Sequence, residues 1–306
     1  MDPIIFVLAG TLAAGTSMLF AAMGELVAEK SGVLNLGVEG MMAVGAAAGF
    51  VTVATTGSHS LGFLVGALTA GLLSLVHAIL VTVFLANQVA SGLAVGILGL
   101  GVSAAIGKNF EGTTVEPLAK LDIPLLSDFP VIGPGLFSQD IMVYLAMLLA
   151  FGIWFLMNRT KPGLIIRSIG ESPAAAHALG YRVLLIRALC VLFGGAMAGI
   201  GGAYLATAYT PLWAEGMVAG RGWIVVALIV FGTWIVPRIV LGAYLFGAVT
   251  LLELSIQAMG LNIPSQLLSA SPYIITIIVL AVISRNKTLI SLNSPVSLGQ
   301  TFKAGS

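Results

Sequence analysis

Residues 158–187 read NRTKPGLIIRSIGESPAAAHALGYRVLLIR, a basic, polar connection inside a chain that is otherwise almost continuous apolar sequence. That contrast decides the fold. Charged residues are 8% of the 306 positions, against about 25% in ordinary soluble domains. Hydrophobic residues make up 58%, and mean hydropathy is +1.08. No water-facing surface can be assembled from this composition, so the chain is expected to be a polytopic membrane protein. Its apolar runs lie at about 4–24, 35–54, 61–86, 89–106, 140–157, 188–208, 223–236, 238–257 and 271–284. Most reach or approach the ~20 residues a helix needs to cross a bilayer. Spanning helices satisfy their own backbone groups, so the expected class is all-α, with about nine transmembrane helices and a range of eight to ten.

Lys and Arg collect on the cytoplasmic side of membrane proteins. With nine spans, 10 of the 13 basic residues fall on the side of the 158–187 loop and the carboxyl terminus. The amino terminus is therefore expected outside and the carboxyl terminus in the cytoplasm. Asp2 stands where a signal peptide would carry basic residues, so 4–24 is read as a retained first helix. The chain is read as one transmembrane domain, 1–306, with an outer loop at about 107–139. That loop carries Glu111, Glu116, Asp122 and Asp128; it is either a surface for another protein or a solvated lid. Three His and one Cys form no ligand cluster, so no metal, cofactor or disulfide is expected, and a net charge of +1 gives no reason to expect nucleic acid.

Within the basic loop, Ser172 and Pro173 suit the N-cap and first position of a helix, and Gly180 suits the position just past its end. Between them Ala174, Ala175, Ala176 and Ala178 leave a smooth surface, and Glu171 precedes it near the positive end of the helix dipole. Such a helix either lies in another protein's groove or rests on lipid headgroups. An alanine-rich face offers little apolar area for the second role.

Gly170 through Gly180 (GESPAAAHALG), together with RTKPGLIIR at 159–167, resembles the ATPase-coupling loop of bacterial ABC importer permeases for ribose, branched-chain amino acids and nucleosides. Further segments are similar to that family, in order: GELVAEKSGVLNLGVEGMM at 24–42, NQVASGLAVGILGLG at 87–101, GGAMAGIGGAYLA at 194–206, EGMVAGRGWIVVALIVFG at 215–232 and GLNIPSQLL at 260–268. The phrases GVLNLGVEGMM, AGRGWIVVALIVFGTW and NIPSQLL are most like the nucleoside-transporting subset. The chain departs from the family at Ile235-Val236-Pro237, where Asn-Pro is usual, and at His177, where an acid is common.

The resemblance implies a permease subunit of the bacterial cytoplasmic membrane. Its implied partners are a cytoplasmic tandem-domain ATPase, a second related permease and an extracytoplasmic substrate-binding lipoprotein, within membrane lipid. Ribose-like sugars and branched-chain amino acids are the alternative cargoes. ATP hydrolysis is expected on a separate subunit, since the chain has no G-x-x-x-x-G-K-[ST] loop. An ion-coupled carrier is the alternative from another class, because Glu39 and Glu253 could carry protons.

Ionisable groups within a bilayer are costly and mark either a path or a structural anchor. Glu39 is expected one turn after Asn35 on one helix face, and Glu253 is expected deep in its span. Asn87, Gln88 and Gln266 could hydrogen-bond a sugar hydroxyl or a base edge, or could cap helices. Gly195 and Gly199, Gly92 and Gly96, Gly45 and Gly49, and Gly62 and Gly66 have the i, i+4 spacing of close helix packing. Gly194–Gly202 could alternatively permit helix sliding. Trp213, Trp223 and Tyr209 suit an aromatic belt or base stacking, and Arg221 could meet Glu215, a receptor acid, or nothing.

Overall fold

The computed structural model describes residues 3–122, 127, 133–258, 270–283 and 293–303. Its helices are α1 (Pro3–Lys30), α2 (Val38–Thr56), α3 (His59–Thr82), α4 (Gln88–Gly107), α5 (Ile141–Arg159), α6 (Lys161–Glu171), α7 (Pro173–Ala178), α8 (Val183–Tyr204), α9 (Arg221–Phe231), α10 (Val236–Ala258) and α11 (Ser271–Ile283). Among the described residues seven are long and apolar enough to cross a membrane: α1 to α5, α8 with the π turn after it, and α10. α9 and the described part of α11 are apolar but only 11 and 13 residues long.

Local chemistry sets the boundaries. Ser58, Asn87, Asp140, Thr160 and Ser172 each accept a hydrogen bond from a first-turn N–H, capping α3, α4, α5, α6 and α7. α1 continues to Lys30, six residues beyond the expected end at 24, which brings Glu25 and Glu29 into the helix. Asn35 is not helical: the chain breaks at 31–37 and α2 begins at Val38. The expected helical face shared by Asn35 and Glu39 is therefore absent. The reason is local, because Gly32 takes the left-handed φ of +89° and the Asn35 side chain accepts from the N–H of Gly37, closing a turn.

At the end of the bundle opposite α6 and α7, strands β1 (Lys120–Asp122) and β2 (Ser138–Asp140) pair antiparallel. This small hairpin departs from an all-α expectation. Beside it, 112–115 is zipped to 211–213 by main-chain bonds, including Gly112 N–H to Trp213 O at 3.0 Å.

α1, α2 and α8 form the buried centre, with α3, α4, α5 and α10 around it. Large apolar side chains such as Leu72, Ile97, Leu148 and Phe151 project from the peripheral helices. In lipid this exposure carries no hydrophobic penalty, so helix association rests on close contact. Glycines supply it. A Cβ on Gly199 would strike Gly66 O and lie 2.6 Å from Ala70 Cβ, and one on Gly195 would strike Ser74. Gly45 faces Gly199, Gly49 faces Ala203, Gly62 faces Val53 and Gly66 faces Gly45. On α4, Gly92 abuts the backbone of Leu36, and Gly96 lies against Leu36 and Gly37.

These contacts set an asymmetric expectation for substitution. Gly199→Leu should lower the melting temperature in detergent by roughly 5–10 °C or prevent recovery of folded protein, because it overpacks a three-helix contact. Gly101→Leu, at a position with open space around it, should leave melting unchanged. Thermal unfolding of the two purified variants checks this.

Candidate functional site

Two polar regions stand out, one on α6 and α7 and one inside the bundle. The first is built on α6 and α7. Ser172 Oγ accepts from Ala175 N–H at 3.3 Å, Pro173 opens α7, and Gly180 takes φ +88° just after it. The cap, the helix and the left-handed exit lie where the sequence placed them. The accessible face differs. Ala176 is only 2% exposed, packed with Ile169 and Val183 under Phe302, so it points into the protein. Ala174, Ala175, His177 and Ala178 are exposed, and Leu179 is 77% exposed. Gly170 is buried where a Cβ would strike Lys30 O, so its role is close packing. Glu171 is exposed and lines a groove of about 620 Å³ with Lys30, Arg167, Ala175, Leu179 and Tyr181.

The second region joins two helix N-termini inside the bundle. Glu39, in the first turn of α2, accepts from Gly220 N–H through Oε1 and from Gly222 N–H through Oε2, both at 2.7 Å. Those amides belong to the start of α9, whose free N–H groups and positive dipole end suit a carboxylate. Gly222 has no room for a side chain, since a Cβ would lie 2.8 Å from Glu39 Oε2. Arg221 sits over the ring of Tyr209 at 5.6 Å, a cation–π arrangement. Glu39 and Glu253 act on it electrostatically, and its Nη1 is buried without a hydrogen-bond partner among the described residues. Glu215 instead uses its own N–H to bond the Glu111 carboxylate, at 3.1 and 3.2 Å.

Tyr209 also lines a cavity of about 800 Å³ with Gly10, Ala13, Lys120, Asp140 and Tyr204. Tyr204 O–H donates to Asp140 Oδ2 at 2.8 Å, while Asp140 Oδ1 caps α5. Burial pushes the Asp140 carboxyl above its ordinary range, against the pull of its bonds from Tyr204, Met142 and Val143.

The other residues singled out from sequence have separate places. Glu253 is half-buried on α10 and accepts from Gln257 at 3.4 Å. Asn35 takes a main-chain bond from its own N–H to Glu25 Oε1, while its side chain donates to Met41 Sδ and accepts from Gly37. Asn87 caps α4. Gln88 accepts from Leu34 N–H and donates to Gln300 O, so both ends of its amide are engaged in the fold. Gln266 lies outside the described residues. Trp213 is 2% exposed and packs on Phe50 at 6.1 Å, so it is a core residue; Trp223 is 40% exposed.

Several groups escaped sequence reasoning: Glu25 and Glu29, both fully buried, Arg187 at 2% exposure, the Asp140–Tyr204 pair, and Leu179. Glu29 Oε2 accepts from Trp234 Nε1–H, just past the end of α9. The i, i+4 spacing of Glu25 and Glu29 on the face continuing α1 was the available signal.

A bundle of apolar helices with buried polar groups at helix breaks and an exposed helix–turn element at one end is the architecture of a multi-pass membrane protein. The family model described as branched-chain amino acid transport system / permease component matches residues 7–284, and the chain belongs to that family. It is 38% identical to the putative glucose ABC transporter permease protein TsgC13 of Haloferax volcanii, over 95% of each chain. It is 34% identical to the nucleoside ABC transporter permease protein NupC of Lactococcus lactis subsp. cremoris, over 90% of this chain and 91% of that one. It is 36% identical to the guanosine ABC transporter permease protein NupQ of Bacillus subtilis, over 88% and 89%. No solved structure matches the chain. The protein is an ABC transporter permease of the cytoplasmic membrane, a role that entails an ATPase and a substrate-binding partner.

Replacing Glu39 by Ala should strand two buried N–H groups at about 1–3 kcal/mol each. Glu39→Gln, which keeps one acceptor, should cost roughly half as much. Denaturation of the purified variants in detergent, compared with the parent, reads both.

Proposed function

We propose that this permease carries nucleosides inward, driven by ATP hydrolysed on a cytoplasmic tandem-domain ATPase and supplied by an extracytoplasmic substrate-binding lipoprotein. The observation that carries this reading is the near full-length similarity to permeases named for nucleosides and guanosine. The phrases GVLNLGVEGMM and AGRGWIVVALIVFGTW support it. A sugar is the second reading, favoured by the relative named for glucose.

In this proposal the chain is one domain of nine spans, counting α9 and α11, with its amino terminus outside, its carboxyl terminus in the cytoplasm and a related permease completing the pathway. The concentration of Lys and Arg beside α6 and α7 supports that orientation. α7 is the ATPase-coupling element, bounded by Gly170–Glu171–Ser172–Pro173 and Gly180. Its contact face is Ala174, Ala175 and Ala178 with Leu179 as the apolar anchor, and Ala176 serves from beneath as support.

The cargo path passes the Tyr204–Tyr209 cavity and the meeting of α2 with α9. Arg221 and Tyr209 are the groups suited to meet a ribose hydroxyl and a base, because one has a donor without a partner among the described residues and the other an aromatic ring lining the cavity. Glu39 holds the N-terminus of α9 in place for them, and Glu253 adds negative charge nearby.

Uptake of labelled guanosine into proteoliposomes holding the complete transporter tests the cargo. Unlabelled nucleosides should compete, and glucose at the same concentration should not; the reverse pattern establishes the sugar reading. Tyr209→Ala should raise the KM for nucleoside by roughly tenfold, the worth of one stacking contact of about 1–3 kcal/mol. For the coupling face, Leu179→Asp should abolish co-purification of the ATPase without lowering the melting temperature. Ala176→Arg should instead lower the melting temperature.

A further inference from the structure

The segment 293–303 crosses the end of the bundle that carries α7. Lys30 Nζ donates to Asn293 O at 2.7 Å. Ser297 is 3% exposed; its N–H and its hydroxyl both donate to Gly170 O, at 2.9 and 2.7 Å. Gln300 O accepts from Gln88 Nε2 at 3.0 Å. Phe302 then packs on Ile169, Ala176 and Val183, with its ring edge-on to His177 at 5.8 Å.

Arg187, in the second turn of α8, ties this segment to the bundle interior. Its Nε donates to Ser31 O at 3.0 Å, Nη2 to Ser297 Oγ at 2.9 Å and Nη1 to Gln300 O at 3.3 Å. No charged group among the described residues offsets its burial. A desolvated cation without a carboxylate persists only where hydrogen bonds replace its water. Here they come from carbonyls at the ends of chain elements: Ser31 O just past α1, where the helix dipole is negative, and Gln300 O in the tail. Ser297 Oγ links the guanidinium onward to Gly170 O in the last turn of α6. Gly32 makes the arrangement possible, since a Cβ there would lie 2.5 Å from Ser297 Oγ and 2.6 Å from Arg187 Nη2.

We propose that residues 293–303 form a strap holding α7 to the bundle, and that Arg187 is a positioning residue through which displacement of α7 reaches the broken segment 31–37. The proposal rests on α7 being the ATPase-coupling element. The route is short. Gly170 lies three residues before α7, Ser297 and Arg187 join it to Ser31, and 31–37 runs directly into Glu39, which holds α9. A second arm runs from Gln300 O through Gln88 to Leu34 N–H. Lysine in place of Arg187 keeps the charge but cannot make the three-way fork.

The test uses the complete transporter in proteoliposomes and reads cargo moved per ATP hydrolysed, with ATPase stoichiometry measured on the same sample. Arg187→Lys should lower that ratio by roughly tenfold, within the span of ordinary coupling energies, while the ATPase stays bound as in the parent. Phe302→Ala, which loosens the strap without touching Arg187, should lower the ratio in the same direction and serves if Arg187→Lys fails to fold. A parental ratio in either assembled variant overturns the strap. Retention of the ATPase by Leu179→Asp would instead overturn the coupling role of α7, an outcome read by co-purification and so separable from the first.

Discussion

A helix that breaks inside a bilayer exposes N–H and C=O groups with no water to receive them, and much of this structure follows from that constraint. The chain breaks at 31–37 and again at both ends of α9. A buried carboxylate lies at each, taking backbone N–H groups at two of them and a side-chain N–H at the C-terminal end of α9. Glu25 takes the N–H of Asn35, Glu39 takes those of Gly220 and Gly222, and Glu29 takes the indole N–H of Trp234. The carboxylates are tolerated in an apolar interior because the donors they satisfy would be orphaned without them. α9 is consequently a short helix held at both ends by glutamates on two other helices. The backbone on either side departs from helix as well: Ala219 and Gly220 precede it, and Thr233 and Trp234 follow it, all at positive φ. A non-glycine residue in that region costs on the order of 1 kcal/mol or more, and the glutamate bonds offset the cost.

Close glycine contact is the complementary device. Where Gly45, Gly66 and Gly199 meet, three backbones approach too closely for any Cβ. In lipid such contact is the main source of helix association, so main-chain contacts at the glycines work together with a side-chain core that includes Phe50, Tyr204 and Phe246. The broken segment 31–37 and the start of α2 approach α4 in the same way: Gly92 abuts Leu36, and Gly40 abuts Gly96 and Gly99. A re-entrant segment can sit against α4 only because α4 offers no side chains there.

The elements most legible in the sequence were those fixed by local chemistry. Ser172-Pro173 and Gly180 bracket α7 because a cap, a missing N–H and a left-handed residue act within one turn of themselves. The glycine pairs were legible because their spacing is that of one helix face. What stayed hidden depended on tertiary placement. Span ends read from where charges begin leave Glu25, Glu29 and Arg187 just outside the apolar runs at 4–24 and 188–208, whereas each is buried. Asn35 and Glu39 share helical spacing, yet the turn at Gly32–Gly37 separates them. Which face of α7 is free could not be read from four alanines, because the tail that covers Ala176 arrives more than 100 residues later.

That late-arriving tail also explains why one buried cation recruits so many carbonyls. Arg187 is held at the junction of α1, α8 and the strap, and its partners are oxygens at chain ends, which no intrahelical bond satisfies. The same logic governs Glu39 with opposite sign: a carboxylate at free N–H groups in one place, a guanidinium at free C=O groups in the other. Between them lies only the segment 32–38, whose Leu34 is fixed on both sides, its N–H to Gln88 and its carbonyl to His77. Two buried ionisable groups, Arg187 and Glu39, are thus joined by a short stretch of main chain that is itself tied to α3 and α4.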